Sequence, residues 1–417
     1  MVCSTSTSNH STRQYMPLPE LILKTSYHML KQPITLLGVS PISPIVVESA
    51  LLAAKEAAAP IVFIASLNQV DIDGGYTGWT PDTFVRYVRD VVRRLNVNVP
   101  VIISLDHGGP WLKDRHIIEG YDLDKAMEAT KKSIEAAIQA GYDLIHIDTT
   151  VDPHNPNLDP ETVARRTLEL LDYAEEIRRS LGRKPINYEI GSDRWVYRDV
   201  EYINELIRYV VKGIKERGLN EARILFVVGD VGTKVSPMNR LDVCKASQLV
   251  QLASTYGLFL KVHSADYVAN PTEFPRLGIG GANIGPMYAD LMYRVVKKLA
   301  SMEKDLARRG VITHTSRIEN VLYEEVLKDG RWRKYTKNPE KLREDEFLMG
   351  ICTRYVWCNS RVDEALKELF TNLEKIGIDS RGTIVNELKN SIKYYMKSFN
   401  LEGLTTRIRV GDLYEGK

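Results

Sequence analysis

Cysteine is scarce: four in 417 residues, at Cys3, Cys244, Cys352 and Cys358, with no pair at a metal-ligand spacing such as CxxC. That excludes a zinc ribbon and a disulfide framework, and it fits a reducing compartment. No apolar run approaches the ~20 residues of a membrane span, and the opening MVCSTSTSNHSTRQYMP lacks the apolar centre of a signal peptide. A cytoplasmic protein with no membrane partner is expected. Neither charge is in excess, since 56 Lys and Arg against 54 Asp and Glu leave +2, and this argues against a nucleic-acid partner. Neither GxGxxG nor GxxxxGK[ST] occurs, which removes the usual fingerprints of dinucleotide and P-loop sites. With 44% hydrophobic and 26% charged residues, the composition is that of a folded enzyme rather than a disordered or fibrous chain.

What is present is a rhythm. After a Ser-, Thr- and Asn-rich start, short β-branched runs alternate with longer charged, amphipathic stretches. The strand candidates are Ile34–Val39, Ile61–Ser66, Val101–Leu105, Leu144–Asp148, Ile186–Ile190, Ile224–Val228, Leu258–His263 and Ala282–Ile284. Segments such as Asp124–Gly141, Asp159–Leu181 and Asp199–Gly218 read as the intervening helices. Eight βα units within roughly 250 residues predict an α/β fold, a (β/α)8 TIM barrel, over a doubly wound open sheet. The expected organisation is an N-terminal arm and leading helix over 1–33, the barrel over 34–290, and a helical region over 291–417 packed against it. That last region contains helical patterns at Leu291–Arg309, Ser360–Ile378 and Ile384–Phe399, joined by a charged stretch around Asp329–Asp345.

Alternation along the strands sorts the polar residues. Ile145 and Ile147 share one face and leave His146 and Asp148 on the other; Ile186, Tyr188 and Ile190 leave Asn187 and Glu189; Leu258, Leu260 and Val262 leave Lys261 and His263. Apolar faces belong against the surrounding helices, so these polar groups should point into the barrel, toward the strand C-termini where barrel enzymes place their chemistry. Asp106 and His107 close the third strand, and Asp230 follows the sixth. Two histidines converging with several carboxylates suit a divalent cation such as zinc, manganese, iron or nickel. As a group they favour the metal over mutual hydrogen bonding, because unpaired interior charges are costly. His146 lies deeper and reads as a hydrogen-bonded core histidine. His10, His28, His116, His154 and His314 fall in loops or helices and are expected in solvent. Lys261 is open to a Schiff-base role, to pairing with Glu189 or Asp148, or to a substrate contact, with polar surroundings disfavouring the first. Asn68 and Gln69 open the loop SLNQVDIDGGYTGWTP as amides suited to sugar hydroxyls, and the glycine-rich stretch from Leu277 to Gly285 reads either as a phosphate cradle or as a close-packed turn.

The stretches SLNQVDIDGGYTGWTP, SLDHGGP, GYDLIHIDTT, KVHSADY and YVWCNSRVDEALKELFTNLE resemble the Z-type subunit family of tagatose-bisphosphate aldolase, within the class II aldolase superfamily. The resemblance runs from about Val39 to Ile378 and implies a metal-dependent barrel. It places His107 at the metal histidine of the DH motif, Asp106 at the adjacent acid–base group, and His263 at the histidine of HSxDY. Glu189 falls where catalytic class II aldolases carry glutamate. Together with the strand reading, this gives a site with Asp106 and Glu189 as catalytic groups and His107, Glu189, Asp230 and His263 as ligands of zinc, manganese or nickel. Substrate would be held by Asn68, Gln69, Asp148, Lys261, Ser264, Asp266 and Asn283.

Some family members resemble non-catalytic partner subunits, and others resemble epimerases acting at C4 of ketohexoses or tagaturonate. Ser264-Ala265-Asp266 stands where true class II aldolases carry a glycine-rich phosphate loop, which favours an unphosphorylated sugar. The expected function is therefore a metal-dependent isomerase, a ketohexose 4-epimerase interconverting fructose and tagatose through enediolate chemistry. The alternatives are a class II tagatose-1,6-bisphosphate aldolase (a lyase) and a non-catalytic subunit that stabilises a partner. A homo-oligomer is expected.

Overall fold

The computed structural model describes residues 15–193 and 199–408. Eight parallel strands close into a barrel in sequence order: β1 (Leu36–Val39), β2 (Ile61–Ser66), β3 (Val101–Gly108), β4 (Leu144–Ile147), β5 (Asn187–Gly191), β6 (Arg223–Val228), β7 (Phe259–Val262) and β8 (Gly281–Ile284). β1 pairs with both β2 and β8, which completes the ring. The expected (β/α)8 barrel is what forms, and every strand candidate contains or overlaps its strand. Strands this short, nearly all of whose residues are buried, need no polar alternation toward solvent; the polar residues they do carry therefore lie in the barrel interior.

The helices begin where a short polar side chain precedes an amphipathic run. Asp122, Asp159, Asp199 and Asp242 each accept a backbone N–H of the first turn, and Thr80 with Thr83 forms a reciprocal capping box. On β5 the helix-facing Tyr188 is buried and donates its hydroxyl to Glu175 of helix Pro160–Ser180 at 2.7 Å, while Asn187 and Glu189 turn inward. Among the described residues no helix is long and apolar enough to cross a membrane.

The N-terminal end of the barrel is stoppered by helix Leu18–Met29. Glu20 donates its N–H to the Asn187 amide oxygen (3.2 Å) and takes the Asn187 amide N–H on its carboxylate (3.3 Å), with Arg223 at 3.7 Å. The first fourteen residues of the expected arm lie outside the described residues.

After β8 the helix Pro286–Arg308 runs straight across residue 290, so a boundary at 290/291 would cut the barrel's own last helix. The following region is helical as expected. Its helix Ser380–Ser398 packs along the first barrel helix, Pro44–Ala57, through Arg381–Glu48, Lys389–Glu56 (2.7 Å) and Lys393–Glu56 (3.1 Å). Gly403 and Thr405 then bond the carbonyls of Ala57 and Ala58 at the end of that helix. The charged stretch around Asp329–Asp345 carries two short helical turns, Arg331–Lys334 and Lys341–Glu344, and the first brings Lys334 to the mouth of the barrel.

The Glu20–Asn187 pair makes a stability test. Asn187→Ala removes one bond from the buried Glu20 carboxylate and one from the Glu20 backbone N–H and should lower stability by about 1–3 kcal/mol, read as a lower thermal midpoint with the barrel's circular-dichroism spectrum unchanged. An unaltered midpoint would show that the stopper adds nothing.

Candidate active site

β3 decides how the site is built. The strand candidate Val101–Leu105 stops short of Asp106 and His107. Instead β3 continues to Gly108, and its register with β4 shifts between Leu105 and Gly108. Within this bulge His107 adopts φ 51°, a left-handed backbone that a non-glycine residue rarely takes. The bulge turns two successive side chains, Asp106 and His107, to the same mouth. Gly109 follows where a Cβ would stand 1.6 Å from the Asp148 carbonyl oxygen, so no side chain fits there. Beyond β7, Ser264 repeats the left-handed backbone at φ 55° just after His263.

The side chains meet as follows. His107 Nδ1 is 2.8 Å from Asp148 Oδ2, and its Nε2 lies 3.0 Å from His263 Nδ1. His263 Nε2 is 3.6 Å from Asp106 Oδ1, which accepts the Asn283 amide N–H at 3.1 Å. Glu189 takes the Lys261 ammonium on Oε1 at 2.5 Å; its Oε2 is buried with no hydrogen-bond partner, and so is His263 Nε2. One atom each from Asp106, His146, Glu189 and His263 falls within 4.8 Å of the others, as does one each from His107, His146 and His263. Buried, unpartnered nitrogen and oxygen atoms facing one another are a donor set that fits a divalent cation. The Asp148 carboxylate holds His107 through Nδ1, as a carboxylate–histidine pair does in metal sites, and turns Nε2 toward His263, so that Nε2 becomes a ligand once it is deprotonated.

Burial opposes the charged ring of His107, but Asp106, the hydrogen-bonded Asp148 and Asp193 together outweigh it and raise its pKa to about 9. Burial pushes Asp106 up, yet His107, His263, His146 and Lys261 hold it well below the usual carboxylate range. Asp148 is held below that range by His107, against burial.

Several expected residues sit elsewhere than anticipated. The Asp230 carboxylate is taken by Lys245 (2.5 Å) and by the Gly232 N–H (2.8 Å), outside the donor groups, so it is not placed as a ligand. Asp148 is fully buried behind His107, also bonding Ser192 and Thr150, and does not reach the cavity wall. Lys261 is likewise buried; its ammonium is committed to Glu189, which is the counter-ion arrangement and leaves no free amine for a Schiff base. His146 accepts the His107 N–H on Nδ1 (3.2 Å) and faces the Gly191 carbonyl through Nε2 (2.8 Å), so both nitrogens are used as in a core histidine. His116, expected in solvent, is buried against Tyr121 and accepts the Trp111 N–H; burial, with Lys113 nearby, lowers its pKa to about 4. His28, His154 and His314 are exposed, and His10 lies outside the described residues.

The mouth opens into a cavity of about 340 Å³ lined by Asp106, His107, His263, Asn68, Gln69, Ser264, Asp266 and Asn283. Asn68 already bridges the Leu112 carbonyl and the Asp114 N–H, and Gln69 bridges Ser40 and the Ser66 N–H, so both amides hold the loops that shape the wall. Asp266 spends Oδ1 on the Gly285 and Met287 N–H groups, leaves Oδ2 buried and unpartnered, and has its pKa raised by burial. The lining residues that the sequence reading does not reach include Asp193 and Arg354. Asp193, just past β5, stands 3.7 Å from His263 and 3.9 Å from His107; the rule that chemistry gathers at strand ends would have reached it. Arg354 comes from the C-terminal helical region, which that rule does not cover. A wider groove of about 680 Å³ at the other end of β3 contains Asp143, whose carboxylate is bonded to the Ile103 N–H, and none of the histidines.

Comparison with known proteins bears on this arrangement. The family described as D-tagatose-1,6-bisphosphate aldolase subunit GatZ/KbaZ-like matches residues 23–398. The chain belongs to this family. A GatZ/KbaZ-like relative, the D-tagatose-1,6-bisphosphate aldolase subunit GatZ of Escherichia coli (strain 536), is 26% identical over 377 residues, covering 84% of this chain and 87% of that one. GatZ of Shigella boydii serotype 18 is 26% identical over 382 residues with the same coverage. Among solved structures, the one titled a probable tagatose 6 phosphate kinase from Sinorhizobium meliloti 1021 superimposes with a TM-score of 0.69 at 23% identity, covering 92% of this chain and all of that one. The last is a likeness of fold.

The electrostatics of His107 give a pH test. Its pKa is raised above the ordinary 6.5 to about 9, so the stability gained from the charged ring is complete below about 6.5 and is lost as pH rises through about 9. In metal-free protein the His107 ring should titrate near pH 9 by NMR, and Asp148→Asn should bring it down. Cation affinity should rise over the same window, because the ligand must be neutral. A ring titrating at 6.5 in the wild type would contradict the geometry.

Proposed function

We propose that this chain performs aldol-type carbon–carbon bond chemistry on a ketose of the tagatose series, as a class II-like lyase. The observation that carries this reading is the convergence of His107, His263 and Asp106 on one cavity at the strand C-termini, with the buried Glu189 carboxylate grouped behind them with His263 and Asp106. The names of the relatives, subunits of a tagatose-bisphosphate aldolase, point the same way and favour the lyase over the epimerase expected from sequence. They also favour assembly with a different subunit over the expected homo-oligomer.

His107 and His263, with the free Oε2 of Glu189 beside His263, would hold a divalent cation, which when bound supplies Lewis-acid stabilisation of the charge that develops on the ketone oxygen. The chain's own groups do the rest. Cleavage of C3–C4 needs a base to take the O4 proton, and Asp106 lines the cavity as an ionised carboxylate fixed by Asn283. The bonding pair then stays with the ketone fragment, and O4 becomes the aldehyde oxygen. Asp148 keeps His107 in one tautomer and orientation. Lys261 neutralises one oxygen of Glu189, so that a fully buried carboxylate is tolerated.

A 4-epimerase would use the same residues and reseal the bond after the aldehyde turns over. One observation favours it: the turn after His263 is no open phosphate cradle, because the Ala265 N–H is bonded to the Asn283 carbonyl and the Gly285 and Met287 N–H groups at the start of helix Pro286–Arg308 are bonded to Asp266.

Incubating the purified chain with a divalent cation and tagatose 1,6-bisphosphate, tagatose or fructose separates these readings. Triose phosphate release supports the lyase, C4-inverted ketose without triose supports the epimerase, and no turnover while a partner aldolase is stabilised reduces the chain to a non-catalytic subunit. His107→Ala and His263→Ala should each lose stoichiometric cation. Asp106→Asn should keep cation and fold while turnover falls ~10²-fold or more, the scale for a general acid–base group. Full activity in Asp106→Asn would remove that residue from the mechanism.

A further inference from the structure

We propose that Arg354 is the residue that binds an anionic end group, phosphate or carboxylate, of an open-chain sugar in the mouth cavity. The inference rests on the sugar-binding reading of that cavity.

The cavity wall carries two Lys or Arg side chains, Lys334 and Arg354. Lys334 is neutralised by Asp114 at 2.6 Å. Arg354 forms no ion pair with any carboxylate of the described residues. Its guanidinium lies 4.6 Å from the Tyr355 ring centroid and 5.7 Å from that of Tyr335, and Nη2 donates to both hydroxyls. Among the described residues Nε and Nη1 carry no hydrogen bond, so most of the planar donor fork is left over. A half-buried guanidinium, oriented by two tyrosines and uncompensated, is unusual. In a cavity with a donor set for sugar chemistry, such a group suits an anion that takes the fork in two bonds. The other obvious anion receptor, the N-terminus of helix Pro286–Arg308, is already filled by Asp266, which accepts the Gly285 and Met287 N–H groups. Arg354 comes from the turn Thr353–Tyr355, so the C-terminal helical region, and no βα loop, would read the charge of the substrate.

Calorimetric titration of the full chain with tagatose 1,6-bisphosphate, tagaturonate and neutral tagatose tests this without requiring turnover. At least one anionic sugar should bind ten- to a hundredfold more tightly than tagatose, and which one does so distinguishes phosphate from carboxylate. Arg354→Ala should erase the difference while leaving tagatose binding unchanged. Arg354→Gln, which keeps a side chain able to bond the tyrosines, should do the same if the alanine variant fails to fold. Equal binding of all three sugars to the wild type, or a difference that survives in the Arg354 variants, would overturn the proposal. An Arg354-dependent difference in a chain that turns nothing over would uphold it while removing the lyase reading.

Discussion

A closed barrel has no water with which to hydrate what it buries, so each charge inside it must be matched by another group in the same interior. The Lys261–Glu189 pair is the clearest case. Neither residue would be tolerated alone, since breaking a buried pair by removing one partner typically costs about 3–5 kcal/mol. Because Lys261 takes one carboxylate oxygen, the other is left facing His263 and Asp106 with nothing to bond. The His107–Asp148 bond takes Nδ1 on the opposite side and turns Nε2 to His263 Nδ1. Glu189 Oε2 and His263 Nε2 are thus the remainder after the interior has satisfied itself.

The local backbone is shaped to the same end. A regular β3 would send Asp106 and His107 to opposite faces, one into the cavity and one into the helical layer. The bulge and the left-handed His107 bring both to the mouth. The close passage of Gly109 beneath the Asp148 carbonyl holds β3 and β4 near enough for the His107–Asp148 bond. Strained backbone of this kind persists where its surroundings over-determine it, and here both neighbouring strands do.

The barrel was legible because its signal is periodic: eight short β-branched runs separated by capped amphipathic helices leave little freedom in topology. Inward-facing polar residues followed from the same alternation, and so His146, Glu189, Lys261 and His263 were read on the correct face. Asp230 illustrates where that reasoning stops. Its position past β6 is right for a ligand, but a lysine fifteen residues later occupies it, and a pairing across a loop leaves no trace in spacing. Asn68 and Gln69 were read as sugar-binding amides because their chemistry suits hydroxyls, yet the backbone of the loops they cross was the nearer partner. Arg354 had no signal at all, since a cavity roof contributed by a distant helical turn is a tertiary fact.

The seam between the last long helix and the first barrel helix has a consequence for how the molecule comes into being. Arg381 and Glu48 lie 333 residues apart in the chain yet meet side by side, and Gly403 bonds Ala57 at the far end of the same helix. Contacts of such sequence separation form late and slow folding. During synthesis the first barrel helix must wait, with one flank uncovered, until Arg381 and Gly403 have emerged. The roof over the mouth is laid down in that same final stretch. A nascent chain therefore has its buried charges paired before it has a finished cavity, and a truncated chain would retain the pairs without the enclosure.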